Sequence, residues 1–211
     1  MNKKGIIFDM DGTLWDSAEG VAKAWTEIVQ KEHDKTRIIS IEDIQGVMGL
    51  TMDKIADILF SDLSKEDRMV LLEKCCAYEN AYLSKNGGKL YPDLEETLQA
   101  LSKEYDLFIV SNCQSGYIEA FLEYYGFGHY FKDIECYGNN LLPKGDNIRG
   151  IVERNQLDKA VYVGDIQGDY DATMAAGLPF IHAKYGFGTI KQEVPKIHTF
   201  KELIDVIKVV L

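Results

Sequence analysis

Apolar residues follow two patterns along the chain, and the change between them divides it. Four short apolar runs stand out: residues 5–10 around Ile6, Ile7 and Phe8; Leu107 to Val110; Ala160 to Val163; and residues 179–183 around Phe180 and Ile181. A fifth run, residues 134–137, is interrupted by Glu135. Runs apolar on both faces predict strands of a parallel sheet covered by helices. Helical spacing lies between them. Leu94, Leu98 and Leu101 mark one helix. Ser115 is placed to cap another that carries Ile118, Phe121 and Leu122 and ends near Gly126. Residues 147–154, 169–176 (closed by Gly177) and 200–209 give three more. From residue 90 onward this alternation predicts an α/β fold with a doubly wound parallel sheet.

Residues 16–85 show helical spacing and no strand pattern. Val21, Trp25, Ile28 and Val29 mark one helix, Ile55, Ile58 and Leu59 another, and residues 69–83 a third. The expected organisation is therefore an α/β core of residues 1–15 and 86–211, interrupted by a small α-helical cap, residues 16–85. Gly87 and Gly88 suit a return hinge.

Composition narrows the surroundings. The net charge is −11, which disfavours nucleic acid and anionic membranes as partners. No apolar run approaches the roughly 20 residues of a bilayer span, and the run after Lys3 and Lys4 is too short for a secretion signal, so the expected location is cytoplasmic. Cys75, Cys76, Cys113 and Cys136 form no CxxC motif and are expected to be thiols. His33, His129, His182 and His198 lack zinc-ligand spacing and are expected to be structural or solvent-facing.

Candidate chemistry gathers at strand ends, where ligands of open α/β sheets bind. The first run ends in Asp9-Met10-Asp11-Gly12-Thr13. Two carboxylates two positions apart, beside a cation, are equipment for nucleophilic and proton-transfer work. The second ends in Ser111-Asn112, a hydroxyl and backbone N–H groups suited to phosphate oxygens. Lys144 precedes the helix expected from Asn147; a lysine there opposes the helix dipole and implies an anion between them. The fourth ends in Gly164-Asp165 and continues to Asp169, two more carboxylates of the kind Mg²⁺ favours. The small residues after Asp169 suit close packing of that helix against the sheet. Trp15 is expected to pack at the hinge, and residues 185–188 after the last strand read as a plain turn, with a loop near the site as the other reading.

These four motifs, in this order and spacing, resemble those of the haloacid dehalogenase-like (HAD) superfamily, in the branch with a helical cap after the first motif and with phosphoglycolate-phosphatase-like features in the first and fourth motifs. The resemblance covers nearly the whole chain and implies a Rossmann-like core and a phosphatase acting on a small-molecule phosphate ester, a phosphoglycolate-like or sugar phosphate. It implies Asp9 as nucleophile, forming an aspartyl phosphate, and Asp11 as general acid and base. Mg²⁺ would be held by Asp9, the Asp11 backbone carbonyl and Asp165, with Asp169 in support; Ser111, Asn112 and Lys144 would hold the phosphoryl group. Residues 46–51 resemble the family's substrate-specificity loop. Asp11 argues against a dehalogenase or phosphonate-cleaving reading. It leaves a phosphosugar mutase of the β-phosphoglucomutase type as the alternative. The resemblance leaves monomer and homodimer both open.

Overall fold

The computed structural model describes residues 3–211. Its centre is a six-stranded parallel sheet. The strands are β1 (Lys4–Phe8), β4 (Asp106–Ser111), β5 (Phe131–Cys136), β6 (Lys159–Gly164), β7 (Phe180–Ala183) and β8 (Lys196–Ile197), in the order β5-β4-β1-β6-β7-β8. Ile6 and Phe8 of β1 join one buried cluster, with Phe121 of α6 (Tyr117–Tyr125) and Leu203 of α10 (Leu203–Val210). Ile7 joins the other, with Ile148 and Ile151 of α8 (Lys144–Arg154). Alternate residues of one central strand thus feed cores on both faces, which is what a doubly wound α/β sheet requires.

Four helices separate β1 from the rest: α1 (Ala18–Glu32), α2 (Ile41–Gln45), α3 (Met52–Leu59) and α4 (Lys65–Asn86). Ser40 and Ser64 cap α2 and α4, each accepting from the backbone N–H three residues on. Two short strands join these helices to the sheet. β2 (Trp15–Asp16) pairs antiparallel with β3 (Lys89–Leu90), Trp15 opposite Leu90. Trp15 is fully buried against Tyr117, Phe121 and Tyr125, as its expected hinge packing requires. Gly87 ends α4 at φ 66°, a left-handed conformation that favours glycine.

Local expectations need correction in three places. The cap of α6 is Gly116, at φ 88°, and Ser115 makes no cap bond. α8 begins at Lys144 itself, with Pro143 before it, so Lys144 lies inside the first turn. The small residues of α9 (Gln167–Ala176) serve a close approach to α8: a Cβ on Gly145 would lie 3.0 Å from the Ala172 carbonyl oxygen. α5 (Leu94–Leu101) and α7 (Tyr137–Asn140) complete the helices. All four cysteines are free thiols. Among the described residues no helix is long and apolar enough to cross a membrane.

Candidate active site

The carboxyl ends of β1, β4 and β6 are neighbours in the sheet, so the residues just beyond them converge. Gly12, at φ 81°, turns the chain after β1, and its N–H donates to the Trp15 carbonyl at 2.9 Å. A side chain at this position would run into the Asp165 carboxylate. The turn thereby lets the β1 and β6 ends approach each other.

Asp9, Asp165 and Asp169 are buried, and each offers a carboxylate oxygen within 4.8 Å of the others. Lys144 reaches in from α8, its Nζ donating to Asp9 Oδ1 at 2.8 Å and to Asp169 Oδ1 at 2.6 Å. The anion implied by its helix position is thus a pair of carboxylates on other elements. The second oxygen of Asp169 accepts from the backbone N–H groups of Asp165 (3.0 Å) and Ile166 (3.2 Å), capping α9. One residue therefore fixes both the helix start and the lysine.

The charge balance of this cluster is incomplete. Burial, then repulsion from Asp169, pushes the Asp9 carboxyl up to about 7 against the opposing pull of Lys144. Burial, then Asp169 and Asp9, drives Asp165 well above the carboxylate range. Burial pulls the Lys144 ammonium down, but Asp169 and Asp9 outweigh it and hold it well above its usual value. Asp165 Oδ2 accepts from the Phe187 N–H at 2.7 Å, while Oδ1 is buried with no hydrogen-bond partner. Three carboxylates facing one ammonium, with an unpartnered buried oxygen among them, fit a hard divalent cation.

Asp11 faces elsewhere. Its Oδ1 accepts from Ser17 Oγ and Tyr117 Oη, each at 2.7 Å. Burial raises its carboxyl to about 6, with both hydroxyls opposing the shift. Its side chain is not part of the three-carboxylate cluster. Asp9 and Asp11 nonetheless line one cavity with Ser111 and Asn112. Ser111 is buried at the end of β4, and Asn112 Nδ2 donates to the Gly49 carbonyl at 2.8 Å, tying residues 46–51 to the sheet. All seven candidate residues are thus brought to one end of the sheet, in two connected groups.

Other residues reach the site without a motif. Tyr162, on β6, donates to the Val110 carbonyl at 2.7 Å, with its oxygen 3.4 Å from Asp9 Oδ1. His182 Nε2 lies 3.2 Å from the Asp165 carbonyl, a structural position as expected. Residues 185–188 are more than a plain turn: Tyr185 Oη donates to the Thr13 carbonyl at 2.8 Å, and a Cβ on Gly186 would collide with Gly12 and Asp165. Glu79 of α4 is buried, lines the same cavity and accepts from Trp25 Nε1. A signal for it existed. Leu72, Cys75, Glu79 and Leu83 are buried at helical spacing, and an acid on an apolar stripe is anomalous.

Residues 6–183 match the haloacid dehalogenase-like hydrolase family, and the chain belongs to that family. It is 28% identical to the phosphoglycolate phosphatase of Photobacterium profundum, over 97% of this chain and 96% of that protein. It is 27% identical to the phosphoglycolate phosphatase of Escherichia coli (strain K12), over 89% and 85%. Among solved structures, a haloacid dehalogenase-like hydrolase from Streptococcus pneumoniae superposes with a TM-score of 0.83 at 22% identity, covering 98% of this chain and 99% of that one.

Proposed function

We propose that this protein is a Mg²⁺-dependent phosphoric monoester hydrolase that cleaves a small phosphorylated metabolite through an aspartyl-phosphate intermediate. The observation that carries the reading is the buried cluster of Asp9, Asp165 and Asp169 bridged by Lys144. The curated relatives named as phosphoglycolate phosphatases support the reaction class.

In this reading the Asp9 carboxylate attacks phosphorus, forming a new P–O bond as the bond to the alcohol oxygen breaks. Asp11 gives its proton to the departing oxygen. It then takes a proton from the water that attacks the aspartyl phosphate, and inorganic phosphate leaves with Asp9 regenerated. The raised Asp11 carboxyl suits both directions of transfer near neutral pH. Ser111, Asn112 and Lys144 hold the phosphoryl oxygens, and alignment with charge neutralisation supplies most of the catalysis. Asp9, Asp165 and the Asp11 backbone carbonyl are the proposed metal-holding groups, with Asp169, whose oxygens are taken by Lys144 and two backbone N–H groups, in support. Bound there, Mg²⁺ would neutralise charge developing on the phosphoryl oxygens. Residues 16–85 act as a cap that excludes water during transfer, and residues 46–51 contribute to substrate choice.

Turnover of p-nitrophenyl phosphate in Mg²⁺ tests the reading. Asp9→Asn is expected to abolish it while leaving the far-UV circular dichroism unchanged; substantial residual turnover would refute Asp9 as nucleophile. The mutase alternative predicts that glucose 1-phosphate with a bisphosphate primer yields isomer faster than free phosphate.

A further inference from the structure

Asp11 is held by the Tyr117 hydroxyl, and Tyr117 is the first residue of α6. The placement of that helix start therefore decides where the hydroxyl sits. Many helices fix their own start with a side-chain cap. α6 does not: Gly116 stands at the cap position, and no side chain caps the first turn.

The loop before it, residues 113–116, is held from two sides instead. On the sheet side the Gly138 N–H donates to the Cys113 carbonyl at 3.0 Å, and a Cβ on Gly138 would lie 2.2 Å from the Ser115 nitrogen. On the other side stands Asn80 of α4. Its Nδ2 donates to the Ser115 carbonyl at 2.8 Å, and its Oδ1 accepts from Gln114 Nε2 at 3.0 Å. Among the described residues no backbone N–H donates to the Ser115 carbonyl, so the Asn80 amide supplies its hydrogen bond. Gly116, at φ 88°, makes room for this contact: a Cβ there would lie 2.8 Å from Asn80 Nδ2. A carboxamide donates and accepts at once, whereas an ionised aspartate only accepts. Glu79 and Leu83 are buried on the same helix, which fixes its rotation and keeps Asn80 turned to the loop. Asn80 itself does not line the cavity beside Asp9 and Asp11.

We propose that Asn80 is a positioning residue for proton transfer. By fixing Gln114 and Ser115 ahead of α6, it sets Tyr117 Oη and through it the orientation of the Asp11 carboxyl. The inference rests on the phosphatase reading above, and it gives the helical segment a direct hold on the acid. Such a role has a signature that a structural one lacks. Proton donation matters more as the departing oxygen becomes more basic. An alkoxide needs the Asp11 proton as it leaves, whereas p-nitrophenolate, a weak base, leaves with little help. kcat/KM covers only the steps up to release of the alcohol, so the later water attack does not enter it.

The test compares kcat/KM in Mg²⁺ for p-nitrophenyl phosphate and for an alkyl ester, the better cleaved of glycerol 2-phosphate and phosphoglycolate. Asn80→Ala is expected to lower the alkyl value about tenfold more than the aryl value. Asn80→Asp, which keeps the acceptor for Gln114 and loses the donor to Ser115, is expected to shift the ratio in the same direction; it decides alone if the alanine variant does not fold. Equal losses on both esters, or no loss on either, overturn the inference. Asp11→Asn is the reference and should shift the ratio further. If Asp11→Asn shifts it and the Asn80 variants do not, only this inference falls. If Asp11→Asn lowers both esters alike, the acid assigned in the phosphatase reading falls as well. A wild-type protein that cleaves only the aryl ester has no working acid to position, which overturns the inference, and failure to cleave any of the three esters sinks the phosphatase reading with it.

Discussion

Tyr117 Oη donates to Asp11 Oδ1 at 2.7 Å across 106 residues of chain. Ser17 Oγ makes the same 2.7 Å contact from the start of the helical segment. Two hydroxyls thus hold one oxygen of the proposed proton-transfer residue, one from each side of the junction between the helices and the sheet. Tyr117→Phe should lower kcat by about tenfold with KM little changed, because orientation is lost where the proton moves. The expected stability loss is about 1 kcal/mol, that of one hydrogen bond. Steady-state kinetics on p-nitrophenyl phosphate checks this; an increase confined to KM would place Tyr117 in substrate binding instead.

The unpartnered Asp165 Oδ1 makes metal binding measurable without turnover. Saturating Mg²⁺ should raise the wild-type Tm by about 5 °C or more through mass action on the folded state. Asp165→Asn should remove most of that rise, since it withdraws a charged ligand and a share of the buried repulsion. Differential scanning calorimetry with Mg²⁺ or EDTA decides it. Equal shifts in the two proteins would move the metal away from Asp165.

Gly12 has no room for a side chain. Its φ is 81°, and a Cβ there would run into the Asp165 carboxylate. Gly12→Ala should cost roughly 1–2 kcal/mol for the left-handed backbone alone. It should also displace Asp165 and weaken the Mg²⁺-induced thermal shift. An alanine variant with unchanged Tm and unchanged Mg²⁺ response would show that the turn relaxes freely.

Burial raises the Glu79 carboxyl from 4.5 to about 8, against hydrogen bonds from Trp25 and Gln114. Asp11 across the cavity adds to the rise, while Tyr117, Cys75 and Cys76 are the other titratable groups facing it. Between these pH values the folded state binds the extra proton, so stability falls as pH rises through the window. Glu79→Gln removes that dependence. The Tm of the variant relative to wild type should therefore climb by about 3 °C per pH unit from pH 5 to 8. A pH-independent difference would refute the raised carboxyl.

Legibility from sequence followed burial and element length. β1, β4, β6 and β7 were readable because both faces are buried, leaving unbroken apolar runs. β5 was harder, since it is an edge strand with Lys132, Asp133 and Glu135 on it. The two-residue strands β2, β3 and β8 are too short to print a period of two. The first turn of α6 misled because a serine stands next to a glycine already in the left-handed conformation. Asp9, Ser111, Lys144 and Asp165 were legible as strand-end or motif residues. Tyr117, Ser17 and Tyr162 were not, because their importance comes from what lies across the fold. Glu79 stood between these cases, conspicuous only once its neighbours on α4 were known to be buried.

The Trp15–Leu90 pairing has one further consequence. Paired strands lie about 4.8 Å apart, so the chain leaves the sheet toward the helices and returns at almost the same point. To the sheet, everything between is a single hairpin. The entropy of closing such a loop grows only with the logarithm of its length. The ribbon therefore works as a socket: what is plugged into it can be enlarged, trimmed or exchanged with little effect on the strand ends that carry Asp9 and Asp165.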